Sequence, residues 1–142
     1  MLKSVKVSDY MTRQLITFSV DTPLFEAINT FSTHQVSGAP VVDQAGQLVG
    51  VMSEVDCLRG ILVKTYHKAV VGGNVGDFMT TNVDTVAGNT DIIAAAEQFI
   101  HRGRRRIPVV EDGKLIGQVS RKDILRAVND FIAKEPNWAN EH

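Results

Sequence analysis

A single cysteine, Cys57, in a chain of 142 residues cannot close an internal disulfide, so stability has to come from a packed core. With a start that lacks signal-like character, this carries the expectation of a reducing cytoplasm. Long apolar runs are missing too. A bilayer span takes roughly 20 apolar residues, and the longest candidate, Ile92 to Ile100, is interrupted by Glu97 and Gln98, which points away from a membrane. No charge of one sign dominates: the formal net charge is −1, which offers no whole-chain attraction to DNA or to an anionic surface. His34, His67, His101 and His142 show no metal-ligand spacing, and Cys57 has no adjacent base to activate it. Gly72-Gly73 lacks the flanking pattern of a phosphate loop and reads as a joint within residues 67–74. No nucleophile–base or metal constellation can be assembled, so the chain is not expected to be an enzyme. What remains is ordinary globular material, 44% hydrophobic and 22% charged.

What the chain has is an internal repeat. Val7-Ser8-Asp9-Tyr10-Met11-Thr12 returns as Val75-Gly76-Asp77-Phe78-Met79-Thr80, 68 positions on (residue 79 against residue 11). At that shift Thr22 meets Thr90, Ala27 meets Ala95, Phe31 meets Phe99, and Pro40-Val41-Val42 meets Pro108-Val109-Val110. One residue drops out near Ala45, after which Gly46, Gly50, Ser53 and Asp56 meet Gly113, Gly117, Ser120 and Asp123. A unit this small seldom buries its apolar face alone, so two copies are expected to pack together.

Both copies read as β-α-β-β-α, giving an α+β fold with one repeat over residues 1–68 and a second, with a C-terminal tail, over residues 69–142. Short strands are expected around Leu15-Ile16-Thr17 and Val83-Asp84-Thr85. Thr22 as N-cap and Pro23 in the first helical position start one helix, and Thr90 starts its counterpart, which runs to Gly103. Strand pairs follow at Ala39–Asp43 with Gln47–Met52, and at Ile107–Glu111 with Lys114–Val119. Ser53 and Ser120 then open second helices. Their apolar positions are Val55, Leu58, Ile61 and Leu62 in one copy, and Ile124, Leu125, Val128, Phe131 and Ile132 in the other. Asp9 and Asp77 are expected to cap the short helices that begin each copy. Pro136 breaks the last helix, leaving Trp138 either docked on the body or free.

A Met-Thr start, a Thr-opened helix, a Pro-Val-Val strand and Gly-x-x-Ser-x-x-Asp, given twice in this order, resemble a tandem pair of CBS (cystathionine-β-synthase) domains over roughly residues 5–134. The resemblance implies repeats packed sheet to sheet about a pseudo-twofold axis, a stand-alone regulatory module, and a homodimer formed through helices. It also implies an adenosyl nucleotide as regulatory ligand rather than catalytic cofactor, bound in the cleft between the repeats. AMP, ADP and ATP come first, S-adenosylmethionine and NAD behind them. A conformational change would then be read by a regulated protein that the sequence does not identify.

Ser53-Glu54-Val55-Asp56 and Ser120-Arg121-Lys122-Asp123 have two readings. Each has the form of a capping box, with serine and carboxylate satisfying one another's backbone N–H. Each also puts an acceptor for two vicinal ribose hydroxyls at a helix N-terminus whose dipole suits phosphate. Carried over from the family, one site would join Ser120 and Asp123 to Thr12, Ile16, Val36, Ser37 and Gly38, with Arg121 and Lys122 near phosphate. The other would join Ser53 and Asp56 to Thr80, Val83, Arg104, Arg105 and Arg106. The cluster Arg102-Gly103-Arg104-Arg105-Arg106 is either a solvated loop or, at Arg106 above all, a bidentate donor to phosphate.

Overall fold

The computed structural model describes residues 1–66 and 73–141. Residues 67–72 of the expected joint, His67 among them, lie outside the described residues. The chain divides into two compact units. A central unit comprises Leu15–Val83 with Gly113–Leu115; a terminal unit comprises Met1–Gln14, Asp84–Asp112 and Ile116–His142.

The central unit holds α1 (Leu24–His34), β1 (Gly38–Val42), β2 (Leu48–Ser53), α2 (Glu54–Tyr66) and α3 (Val75–Phe78). β1 and β2 form an antiparallel hairpin in which Gly38 faces Ser53. The strand expected at Leu15-Ile16-Thr17 is reduced to one parallel bridge a residue later, between Phe18 and Val41. α1 buries Leu24, Ala27 and Phe31 along one face, and Phe31 meets Phe18 edge-on with centroids 5.6 Å apart. Leucine and phenylalanine side chains each stabilise a fold by about 1.5–3 kcal/mol when fully buried. Thr22 does not cap α1. Its Oγ1 accepts from the Ser19 N–H instead, and Pro23, with extended backbone, takes the cap position. The Pro23 carbonyl accepts from Glu26 and Ala27.

α2 turns its apolar positions outward. Val55, Leu58 and Leu62 are 53%, 60% and 54% exposed, Ile61 is also outward, and the buried positions are Asp56, Cys57 and Gly60. The cap fixes the phase of this helix: because Asp56 turns inward to Ser53, the apolar stripe one step round the helix faces out.

The terminal unit opens with 3₁₀ turns at Leu2–Ser4 and Val7–Asp9, and continues with β3 (Val86–Ala87), α4 (Ile92–Arg102), β4 (Arg106–Glu111), β5 (Lys114–Ser120, its first two residues grouped with the central unit), α5 (Arg121–Lys134) and α6 (Pro136–Glu141). The sheet order is β3-β4-β5, with β3 parallel to β4. β3 begins just past the expected Val83-Asp84-Thr85. The α4 cap is Asp91, not Thr90: its carboxylate accepts from the Ile93 and Ala94 N–H groups. α4 buries Ile92, Ala95 and Phe99, the positions matching the buried residues of α1. Trp138 docks edge-on against Phe131 at 5.8 Å, which settles the fate of the tail's aromatic. Asp9 and Asp77 reach back to the backbone N–H of Lys6 and Asn74, three residues earlier, and so cap their short helices from within.

Each unit takes its opening segment from the other repeat. In the central unit Thr80 pairs with Val51 of β2, and in the terminal unit Thr12 pairs with Gln118 of β5. Gly50 and Gly117 permit this close approach. A Cβ on Gly50 would stand 2.8 Å from Met79 Sδ and 2.9 Å from the Thr80 carbonyl; one on Gly117 would stand 2.6 Å from Met11 Sδ and 2.9 Å from the Thr12 carbonyl. Val7 and Val75, from the same segments, are fully buried in the two cores.

Candidate functional site

The central site is built where β2 ends in Ser53 and α2 begins. Ser53 Oγ accepts from the Asp56 N–H at 3.2 Å, while Asp56 Oδ2 accepts from the Ser53 N–H and from the Ser53 hydroxyl, both at 2.9 Å. The Thr80 hydroxyl donates to both carboxylate oxygens, at 3.3 and 3.4 Å. Arg59, one helical turn on, donates to Asp56 Oδ1 at 3.2 Å. Asp56 is 2% exposed, and burying a carboxylate is tolerable only because donors surround it. Arg59 is 68% exposed, so the ion pair itself adds at most about 1 kcal/mol. Ser37 lies beside this turn: its carbonyl accepts from the Glu54 N–H, and Gly38 pairs with Ser53.

The terminal site repeats the turn with different surroundings. Ser120 Oγ accepts from the Asp123 N–H at 3.2 Å, and Asp123 Oδ2 accepts from the Ser120 N–H at 2.8 Å. Asp123 is 7% exposed. Arg126 donates through Nη1 to Asp123 Oδ1 at 3.3 Å and through Nη2 to the Tyr10 carbonyl at 2.9 Å, with its guanidinium 5.4 Å above the Tyr10 ring. The Tyr10 hydroxyl in turn donates to Asp130 at 2.9 Å. That bond, with some burial and the Asp130 charge, lifts the phenol above its ordinary value.

Of the residues expected to act together, Thr12, Ser120, Arg121, Lys122 and Asp123 fall in the terminal unit, as do Arg104, Arg105 and Arg106. Ile16, Val36, Ser37 and Gly38 fall in the central unit with Ser53, Asp56, Thr80 and Val83. Arg102 and Arg104 are both paired with Asp84. The arginine loop is stitched to the start of α5: Arg121 donates from its backbone to the Arg105 carbonyl and from Nε to the Arg104 carbonyl at 2.7 Å. Arg106 opens β4 at an exposed position.

Burial, and then the nearby charges of Asp56 and Glu54, push the Cys57 thiol above its usual value, which keeps it protonated and a poor nucleophile. Among the described residues no group of three or more His, Cys, Asp or Glu side chains could hold a metal ion, and no helix is long and apolar enough to cross a membrane. Sequence reasoning missed Arg59 and Arg126. The signal was present: an arginine three residues beyond the motif's aspartate occurs in both repeats, the spacing that lets two helical side chains meet.

The fold and the site thus define a duplicated α+β domain, each copy carrying a buried carboxylate at the start of a helix. The CBS domain model matches residues 7–63 and 75–130, and the chain belongs to the CBS domain family. It is 29% identical over 136 residues to an uncharacterised protein of Methanocaldococcus jannaschii, covering 96% of this chain and 45% of that one. It is 31% identical over 130 residues to the A-adding tRNA nucleotidyltransferase of Aquifex aeolicus, covering 92% of this chain and 15% of the enzyme. The chain thus spans less than half the length of either relative. Among solved structures, CBSX2 in complex with AMP matches with a TM-score of 0.79 and 32% identity, covering 89% of this chain and 98% of that one.

Proposed function

We propose that this chain is a non-catalytic regulatory module that binds an adenosine nucleotide and passes a ligand-dependent change of conformation to a partner protein. The observation that carries this reading is the aspartate seated at a helix start in both units, Asp56 and Asp123, each buried and each beside the N-terminal dipole of a long helix. A carboxylate there accepts the vicinal hydroxyls of a ribose, and the helix end with Arg121 and Lys122 attracts phosphate. The likeness to a CBS protein solved with AMP supports the same reading. AMP, ADP and ATP are the leading ligands, ahead of S-adenosylmethionine and NAD. A regulatory effect requires that the ligand bind two conformations with different affinity. The cytoplasm suits a chain whose one thiol is buried and unpaired.

The exposed apolar side chains Phe25 on α1 and Val55, Leu58 and Leu62 on α2 suit a homodimer. Isothermal titration with AMP, ADP, ATP, S-adenosylmethionine and NAD tests the reading, with saturable binding of at least one expected. A second reading is favoured by the reciprocal capping bonds present in both turns: a dimerising module that takes no ligand and uses its aspartates only as helix caps. A dimer in sedimentation that stays silent in every titration would select it.

A further inference from the structure

An ionised carboxylate offers about four lone-pair sites, two on each oxygen. At Asp56 four donor groups already point at the two oxygens: the Ser53 N–H, the Ser53 hydroxyl, the Arg59 guanidinium and the Thr80 hydroxyl. At Asp123 there are two among the described residues, the Ser120 N–H on Oδ2 and Arg126 on Oδ1. One site therefore remains on each Asp123 oxygen, the arrangement that a pair of adjacent hydroxyls needs. The backbone does not cause the difference, because Thr12 and Thr80 make the same bridge to β5 and β2. It arises in the side chains. The Thr80 hydroxyl turns onto Asp56, whereas among the described residues Asp123 receives no donor from Thr12. Arg126 is also tethered at its far end to the Tyr10 carbonyl and stacked on the Tyr10 ring, which fixes the orientation of the Asp123 carboxylate.

We propose that the two Ser-x-x-Asp turns have different roles: Asp123 is the ribose acceptor, and Asp56 is a latch that holds the Met79-Thr80 segment and takes a ribose only when the Thr80 hydroxyl is withdrawn. This rests on the nucleotide reading above and goes beyond it by assigning the site. The test is calorimetric titration of the whole chain with AMP and with 2′,3′-dideoxy-AMP, which lacks the hydroxyl pair. The wild type should bind one AMP per chain in its tight event, about tenfold or more tighter than the dideoxy analogue, as two hydrogen bonds to a charged group imply. Asp123→Asn, which preserves shape, should abolish that preference and lose more AMP affinity than Asp56→Asn. Thr80→Val should strengthen a second AMP event, a gain that misfolding cannot mimic, and adding Asp56→Asn should remove it. Equal losses in the two asparagine variants, a loss centred on Asp56, or no second event in Thr80→Val would overturn the assignment and leave the nucleotide reading intact. Failure of the wild type to bind AMP, ADP, ATP, S-adenosylmethionine or NAD would instead remove the reading on which the assignment rests.

Discussion

The central and terminal units repeat one backbone scheme and differ in how they hold their buried aspartate. In the central unit Asp56 is enclosed by donors from its own turn and from Thr80, so it works as a joint between α2 and the Met79-Thr80 segment. In the terminal unit that tie is made farther out. Tyr10, where the other copy has Phe78, bonds Asp130, and Arg126 bridges Tyr10 to Asp123. The comparison teaches that a duplicated motif can keep its geometry while its hydrogen-bonding capacity is used up in one copy and left partly open in the other.

The strongest way to break the comparison is to attack what the two units share. Gly50→Ala and Gly117→Ala should each lose about 1–3 kcal/mol in chemical denaturation, since either methyl would stand under 3 Å from a backbone carbonyl. A large loss in one variant alone would show that the two segments are not held alike. Next in size come Asp56→Ala and Asp123→Ala. The first should cost about 2 kcal/mol and the second about 1 kcal/mol, because removing Asp56 strands more donors than removing Asp123. Equal losses would erase the distinction between latch and open acceptor.

Much of this was legible in the sequence because the informative residues answer to local chemistry. Ser-x-x-Asp has to cap, and glycine has to stand where another backbone lies within van der Waals reach, so both recur at a fixed interval. The phase of α2 was not legible: Val55, Leu58 and Leu62 form a regular apolar stripe, while the buried line Asp56, Cys57, Gly60 looks unremarkable until the cap orients it. Nor was the start of α1. Thr22 and Pro23 have the form of a cap and first turn, but the Thr22 hydroxyl is already committed to Ser19. The single bridge at Phe18 and the two-residue β3 are too short to leave a periodic signal. At the site, both aspartates were found but their inequality was not, since it depends on a threonine hydroxyl 24 residues from Asp56.

Two smaller effects sharpen the contrast. Tyr10→Phe gives the terminal unit the side chain of its counterpart and should cost about 0.5–1 kcal/mol, the range of a partly solvated hydrogen bond. The folded-state phenol titrates above its unfolded value of 10.0, so its contribution is complete below that pH and is lost as pH rises through the folded value. The wild type should therefore lose more stability than Tyr10→Phe between neutral pH and strongly alkaline conditions, as thermal denaturation across that range would show. The smallest change concerns helix ends. α4 closes with Gly103 in the left-handed region at φ 63°, whereas α1 closes with Gln35 at φ 53°. Gln35→Gly should gain up to about 1 kcal/mol, read as a higher denaturation midpoint.

The exchange of opening segments sets an order of assembly during synthesis. The central unit has nearly all its parts once Met79 and Thr80 leave the ribosome. The terminal unit cannot close around Tyr10 until Arg126 and Asp130 are made, and the Tyr10–Asp130 bond spans 120 residues. Of the two opening segments, the one earlier in the chain thus belongs to the unit completed later, and its buried Val7 and Met11 stay without their core until the second repeat has been made. A chain arrested after the first repeat would have made an opening segment for a unit it does not contain, while lacking the segment that closes its own.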